Sequence, residues 1–141
     1  MSSRVNATPT INQRATEANV IAILQGYGIK SARLRVARRA GLQSPRLDGM
    51  PHGTSTDNVN ESRIVRNLGD EEELEAVKAV LEELEPIDAA ILKHTYMHPL
   101  PSRAAIQERV GLEHSQLYRR CRKALVQFAQ LWPLSNLVVY D

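Results

Sequence analysis

The chain predicts an all-α fold of about six helices, with a helical N-terminal part and a C-terminal helix-turn-helix. Three observations predict it. Apolar residues make up 43% of the sequence but aromatic ones only 4%, so the core is built of Leu, Ile, Val and Ala, a set that favours helices. Apolar residues recur at steps of three and four in successive segments. Between those segments stand Gly, Pro and residues whose side chains cap helices.

Four regions follow in order. Residues 1–42 open with a polar, flexible arm to about Arg14. A helical pattern then runs from about Thr16 to Arg39, with Val20, Ile21, Leu24 and Tyr27 on one face and Ile29, Leu34 and Val36 continuing it less regularly. Gly26 and Gly28 weaken its middle, which predicts two helices or one broken helix. Residues 43–57 are rich in Gly and Pro, lack periodicity and predict a linker. Residues 58–132 hold the main domain. Thr56, Asp57 or Asn58 is suited to cap its first helix, with Glu61 as reciprocal partner, and that helix is expected to end near Leu68–Gly69. Asp70 is expected to cap the next, whose stripe is Leu74, Val77, Val80, Leu81 and Leu84, with Glu71, Glu72 and Glu73 favoured by the dipole of its first turn. Pro86 suits the first turn of a helix on Ile87, Ala90, Ile91 and Leu92, and His98-Pro-Leu-Pro101 breaks it. Ser102 caps the first helix of the helix-turn-helix, Gly111 makes its turn, and Pro133 ends the last helix after Trp132. Residues 133–141 read as an extended tail suited to pairing with another chain.

The net charge of +2 conceals segregation. Residues 1–57 carry eight Lys/Arg against three Asp/Glu, residues 58–90 three against ten, and residues 91–141 seven against three. Two basic ends therefore flank an acidic middle, and the ends are the candidate nucleic-acid surfaces. The single cysteine excludes an internal disulfide and fits a reducing cytosol. No apolar run approaches the ~18 residues a membrane span needs. A soluble, cytoplasmic protein is expected.

The basic end of interest is Ile106 to Phe128. Ile106, Val110 and Leu112 flank Gly111, and Leu117, Cys121, Ala124, Leu125 and Phe128 then form one stripe. Four of the five residues from Arg119 to Lys123 are basic, with no acid among them. A helix with one apolar and one arginine-rich face, mounted after a tight turn, suits the major groove of double-stranded DNA. His114, Ser115, Gln116, Tyr118 and Arg119 are the candidates for base contact, Arg119 toward guanine and Gln116 toward adenine. Arg103, Arg120, Arg122 and Lys123 are the candidates for phosphates. Four to six neutralised phosphates predict a slope of log affinity on log salt of about −4 to −5. A second basic stretch, Lys30, Arg33, Arg35, Arg38 and Arg39, suits either nucleic acid or docking on the acidic helix Asp70–Glu85, with docking favoured.

Other chemistry is weakly supported. His94 and His98 stand four apart, with Asp88 or Cys121 as further ligands, but Pro99 interrupts the helix, so no metal or cofactor is expected. Cys121 belongs to an apolar stripe and is expected in the core rather than as a nucleophile. No catalytic constellation or phosphate-cradling glycine loop is present, and no enzymatic activity is expected.

Gly111, Leu112, Glu113 to Leu117, and Lys123-Ala124-Leu125 resemble region four of bacterial sigma factors. Ser44-Pro45, Asp48-Gly49-Met50-Pro51-x-Gly53, Asn60-Glu61 and Ala104 to Ala129 look like the ArpU-type phage late-gene regulators and the related RinA-like activators. The resemblance spans Gln43 to Ala129. It implies a sequence-specific transcriptional regulator of phage or prophage genes, acting in the bacterial cytoplasm and meeting DNA, and RNA polymerase as a further partner. Arg120 departs from the pattern, standing where sigma factors bury an aliphatic residue, a role expected to pass to Cys121. Ser115 and Tyr118 stand at positions often charged in sigma factors, so promoter specificity does not carry over. Two other readings remain open at this point. One is a small-terminase-like packaging protein, which would form a ring. The other is a protein-interaction module acting through the acidic helix. A homodimer would double a small DNA interface, with the tail Leu137–Tyr140 and the N-terminal helices as candidate surfaces.

Overall fold

The computed structural model describes residues 9–41 and 54–141, the side chains of 54–60 excepted. The first helix, α1, spans Gln13–Arg39 and starts where the Asn12 side chain accepts from the Ala15 N–H at 3.1 Å. It does not break at Gly26 or Gly28. One flank packs on α2 and another on α5, and that burial outweighs the roughly 1 kcal/mol that each glycine costs relative to alanine. Gly41, at φ 76°, turns the chain away from the helix end. A methyl group added at Gly28 meets nothing within 4 Å. Gly28→Ala is therefore expected to stabilise the protein by about 0.5–1 kcal/mol, seen as a higher unfolding midpoint. A lowered midpoint would mean that α1 depends on the freedom of that glycine.

The second helix, α2, spans Thr54–Glu83 without interruption, so the two expected acidic helices are one and the six expected helices become five α-helices among the described residues. Thr56, Asp57 and Asn58 lie inside it rather than in front of it. Residues 42–53, which hold most of the expected linker and the Gly-Met-Pro stretch, fall outside the described residues, while 54–57 are helical. Asp70 is not a cap either. It is buried mid-helix, where Arg33 donates to both carboxylate oxygens at 2.9 and 3.0 Å. That pairing and the buried stripe Leu74, Val77, Val80, Leu81 and Leu84 hold the helix continuous through Gly69.

Helix α3, Pro86–Leu92, begins on its proline and runs into a π-helical turn, Lys93–Met97, closed by the His98 N–H donating to the Lys93 carbonyl at 2.8 Å. The Pro-Leu-Pro stretch then ends it. Helix α4, Arg103–Val110, is capped by Ser102, whose Oγ accepts from the Ala105 N–H at 3.1 Å. Helix α5, His114–Leu131, ends one residue before Trp132.

The main core joins Val20 and Leu24 of α1, Val77, Val80 and Leu81 of α2, Ala89 and Leu92 of α3, and Ala124, Leu125, Phe128 and Ala129 of α5. A smaller cluster of Ile91, Ile106 and Leu117 lies beneath α4, and half-buried Cys121 touches both. The N-terminal helix and the C-terminal half share this core. The tail pairs within its own chain. Ile11 and Tyr140 form an antiparallel bridge, the Asn12 N–H donates to the Val139 carbonyl at 2.7 Å, and Leu137 is buried in the core. The tail, expected to pair with another chain, pairs here with the start of its own. The described residues are all-helical apart from turns and this single bridge, and no helix among them is long and apolar enough to cross a membrane.

Candidate nucleic-acid interface

Gly111 ends α4 in the left-handed conformation, φ 72° and ψ 34°, and its N–H donates to the Gln107 carbonyl at 2.8 Å. A side chain disfavours that conformation, so glycine sets the tight turn. Two residues later Glu113 caps α5. Its carboxylate accepts from the helix start, while its own N–H donates to Gln116 Oε1 at 3.1 Å. This reciprocal box holds the first turn of α5 in place. Gln116, expected to meet adenine, is thereby engaged in holding the helix end.

Leu117, Ala124, Leu125 and Phe128 are buried, which turns the opposite face of α5 outward. That face carries His114, Ser115, Tyr118, Arg119 and Lys123, all exposed, with Arg103 exposed at the start of α4. Among the described residues, Arg103, Arg119 and Lys123 have no acidic partner. These six residues of the expected site are open to solvent, and Gln116 is exposed beside them.

Two of the expected phosphate contacts are engaged elsewhere. Arg120 donates from Nε to Asp88 at 2.8 Å and from a terminal nitrogen to Glu85 at 2.7 Å. Asp88 is only 1% exposed, so Arg120 serves to satisfy a buried carboxylate. This accounts for a cation where an aliphatic residue is expected, and Cys121 packs into the core beside it. Arg122 donates from Nε to Glu17 of α1 at 2.9 Å and lies 5.6 Å from the centre of the Tyr118 ring. Glu17 holds its guanidinium more firmly protonated than usual. Arg120 and Arg122, expected at phosphates, are thus engaged as struts between helices. Their partners, Asp88 and Glu17, fix which cations stay available, a structural role that the sequence did not assign to either. The available signals were an Asp inside the apolar run Ile87–Leu92 and the only acid of α1.

The second basic stretch divides. Lys30 pairs with Glu73 and Arg33 with Asp70, so this part docks on the acidic helix, as favoured from sequence. Arg35 donates to Ser31, and Arg35, Arg38 and Arg39 are exposed near the end of α1. Cys121 sits 3.8 Å from the Tyr96 hydroxyl, and burial pushes its thiol above the usual range, which makes it a weak nucleophile. Among the described residues no three His, Cys, Asp or Glu side chains are grouped to hold a metal ion.

The site thus defines an all-helical chain that presents a cation-bearing helix after a rigid turn. The chain matches no protein-family model, and searches of curated proteins and of solved structures return no similar protein.

Proposed function

We propose that the chain is a sequence-specific double-stranded DNA-binding transcriptional regulator, of the phage or prophage type that the sequence resembles, with α4 and α5 as its helix-turn-helix. The observation that carries this reading is the outer face of α5, where Arg119 and Lys123 stand free of acids beside Ser115 and Tyr118 while the helix beneath is anchored by buried apolar residues. A rigid helix with unneutralised cations and hydrogen-bonding side chains at its exposed start is suited to base-edge reading. Tying up Arg120 and Arg122 lowers the expected phosphate count. With Arg103, Lys123 and one further contact, the salt slope should be about −3 rather than −4 to −5.

Polarisation titrations against DNA fragments and a scrambled control, at several salt concentrations, test this. Arg119→Ala should weaken one fragment by about 1–3 kcal/mol and flatten the preference for it. Lys123→Ala should weaken every fragment alike and reduce the slope by about 1. Absence of salt-sensitive binding would remove the groove reading.

A second reading, a protein-interaction module, draws on a different surface. Ile29 (61% exposed), Val36 (66%) and Val65 (68%) stand on α1 and α2, along stretches that also bear exposed Arg35, Arg38, Arg63 and Arg66. Apolar side chains among cations suit an acidic amphipathic partner better than a phosphate backbone. The two readings separate cleanly, because charge reversal at Arg63 and Arg66 leaves α5 untouched.

A further inference from the structure

Between α1, the π-helical turn, α4 and α5 lies a cavity of about 310 Å³. Its volume is at the small end of the range for ligand pockets. Leu100, Ile106, Leu117 and Leu125 supply an apolar wall. Tyr96, on the π-helical turn, also lines it, and π-helical insertions recur at functional sites.

The polar groups narrow the ligand. The hydrogen-bond partner of the Tyr96 hydroxyl among the described residues is the Cys121 sulfur at 3.8 Å. A phenol is a good donor and a thiol a poor acceptor, so this hydroxyl is under-used. Burial raises the tyrosine well above its ordinary range, which keeps the proton in place for donation. Two guanidinium groups, Arg103 and Arg122, line the cavity together with Glu17. Arg122 is bonded to Glu17, so their charges offset each other and the net surplus is the single cation of Arg103. Arg103 itself lines the cavity, from the first position of α4. One surplus cation beside a carboxylate suits a monoanion and disfavours a phosphate dianion.

We propose that this cavity binds a small organic monocarboxylate with an apolar body. Arg103 and the Tyr96 hydroxyl hold its carboxylate, and the body rests against Ile106 of α4 and Leu117 and Leu125 of α5. Occupancy also bears on DNA, a consequence that rests on the DNA-binding reading. Arg103 is among the proposed phosphate contacts, so a filled cavity should weaken DNA binding.

The test uses the full chain with phenylacetate and octanoate as probes and phenylacetamide as the neutral control. Methyl NMR reports Ile106, Leu117 and Leu125, and the alkylation rate of Cys121, the only cysteine, reports occupancy. The acids should shift those methyls and slow alkylation, with phenylacetate binding about tenfold tighter than the amide, as a charge-assisted bond predicts. Arg103→Gln, at an exposed position, should abolish that preference without disturbing the fold, and Tyr96→Phe should weaken both probes. Equal binding of acid and amide, or no methyl shift with either acid, would overturn the proposal. Because these readouts need no DNA, failure of the ligand site and failure of the DNA reading are told apart.

Discussion

Arg120→Leu is expected to destabilise the protein by about 3 kcal/mol, the lower end of what breaking a buried ion pair costs. The lower end applies because the Arg120 side chain is 33% exposed and its bond to Glu85 is made near the surface. The main cost comes from Asp88, which at 1% exposure would keep its charge without its cation. The double variant Asp88→Leu with Arg120→Leu should recover most of the loss, since two apolar groups leave no buried charge unmatched. Urea unfolding measures both. If Arg120→Leu unfolds at the wild-type midpoint yet loses DNA affinity, Arg120 is a phosphate ligand after all and the strut assignment is wrong.

Phe128→Ala is expected to cost about 4 kcal/mol, in the range for emptying a large aromatic site in a core. Phe128 is fully buried and stacks on Trp132 with ring centres 5.5 Å apart, so its removal opens a void and takes away a ring contact. Against a total stability of about 5–15 kcal/mol, this loss leaves little margin. Trp132 is the only tryptophan, so its fluorescence follows unfolding directly. A cost under about 1 kcal/mol would mean that the site collapses freely and that α5 is not the keystone of the core.

The features legible in the sequence are local ones. Ser102 and Gly111 mark the ends of α4 because a cap and a left-handed turn each depend on one residue and its near neighbours. The stripe from Leu117 to Phe128 is visible because helical periodicity is a property of a single segment. The division expected at Gly69–Asp70 fails for the same reason. Glycine followed by acids resembles a helix end locally, whereas the structure continues the helix through it, with Arg33 from another helix bonded to Asp70.

From the chain alone follow its helical class, the positions of its tight turns and the apolar face of α5. Which cations remain available was settled by the packing of distant segments. Arg120 and Arg122 look equivalent to Arg119 and Lys123 along the chain, but their partners Asp88 and Glu17 lie 32 and 105 residues away. Packing also joined the tail to the start of α1 and gathered the Tyr96 cavity from four separate segments. The physical reason is range: caps and periodicity act within a few residues, whereas ion pairs and cavities depend on which distant surfaces hydrophobic burial brings together.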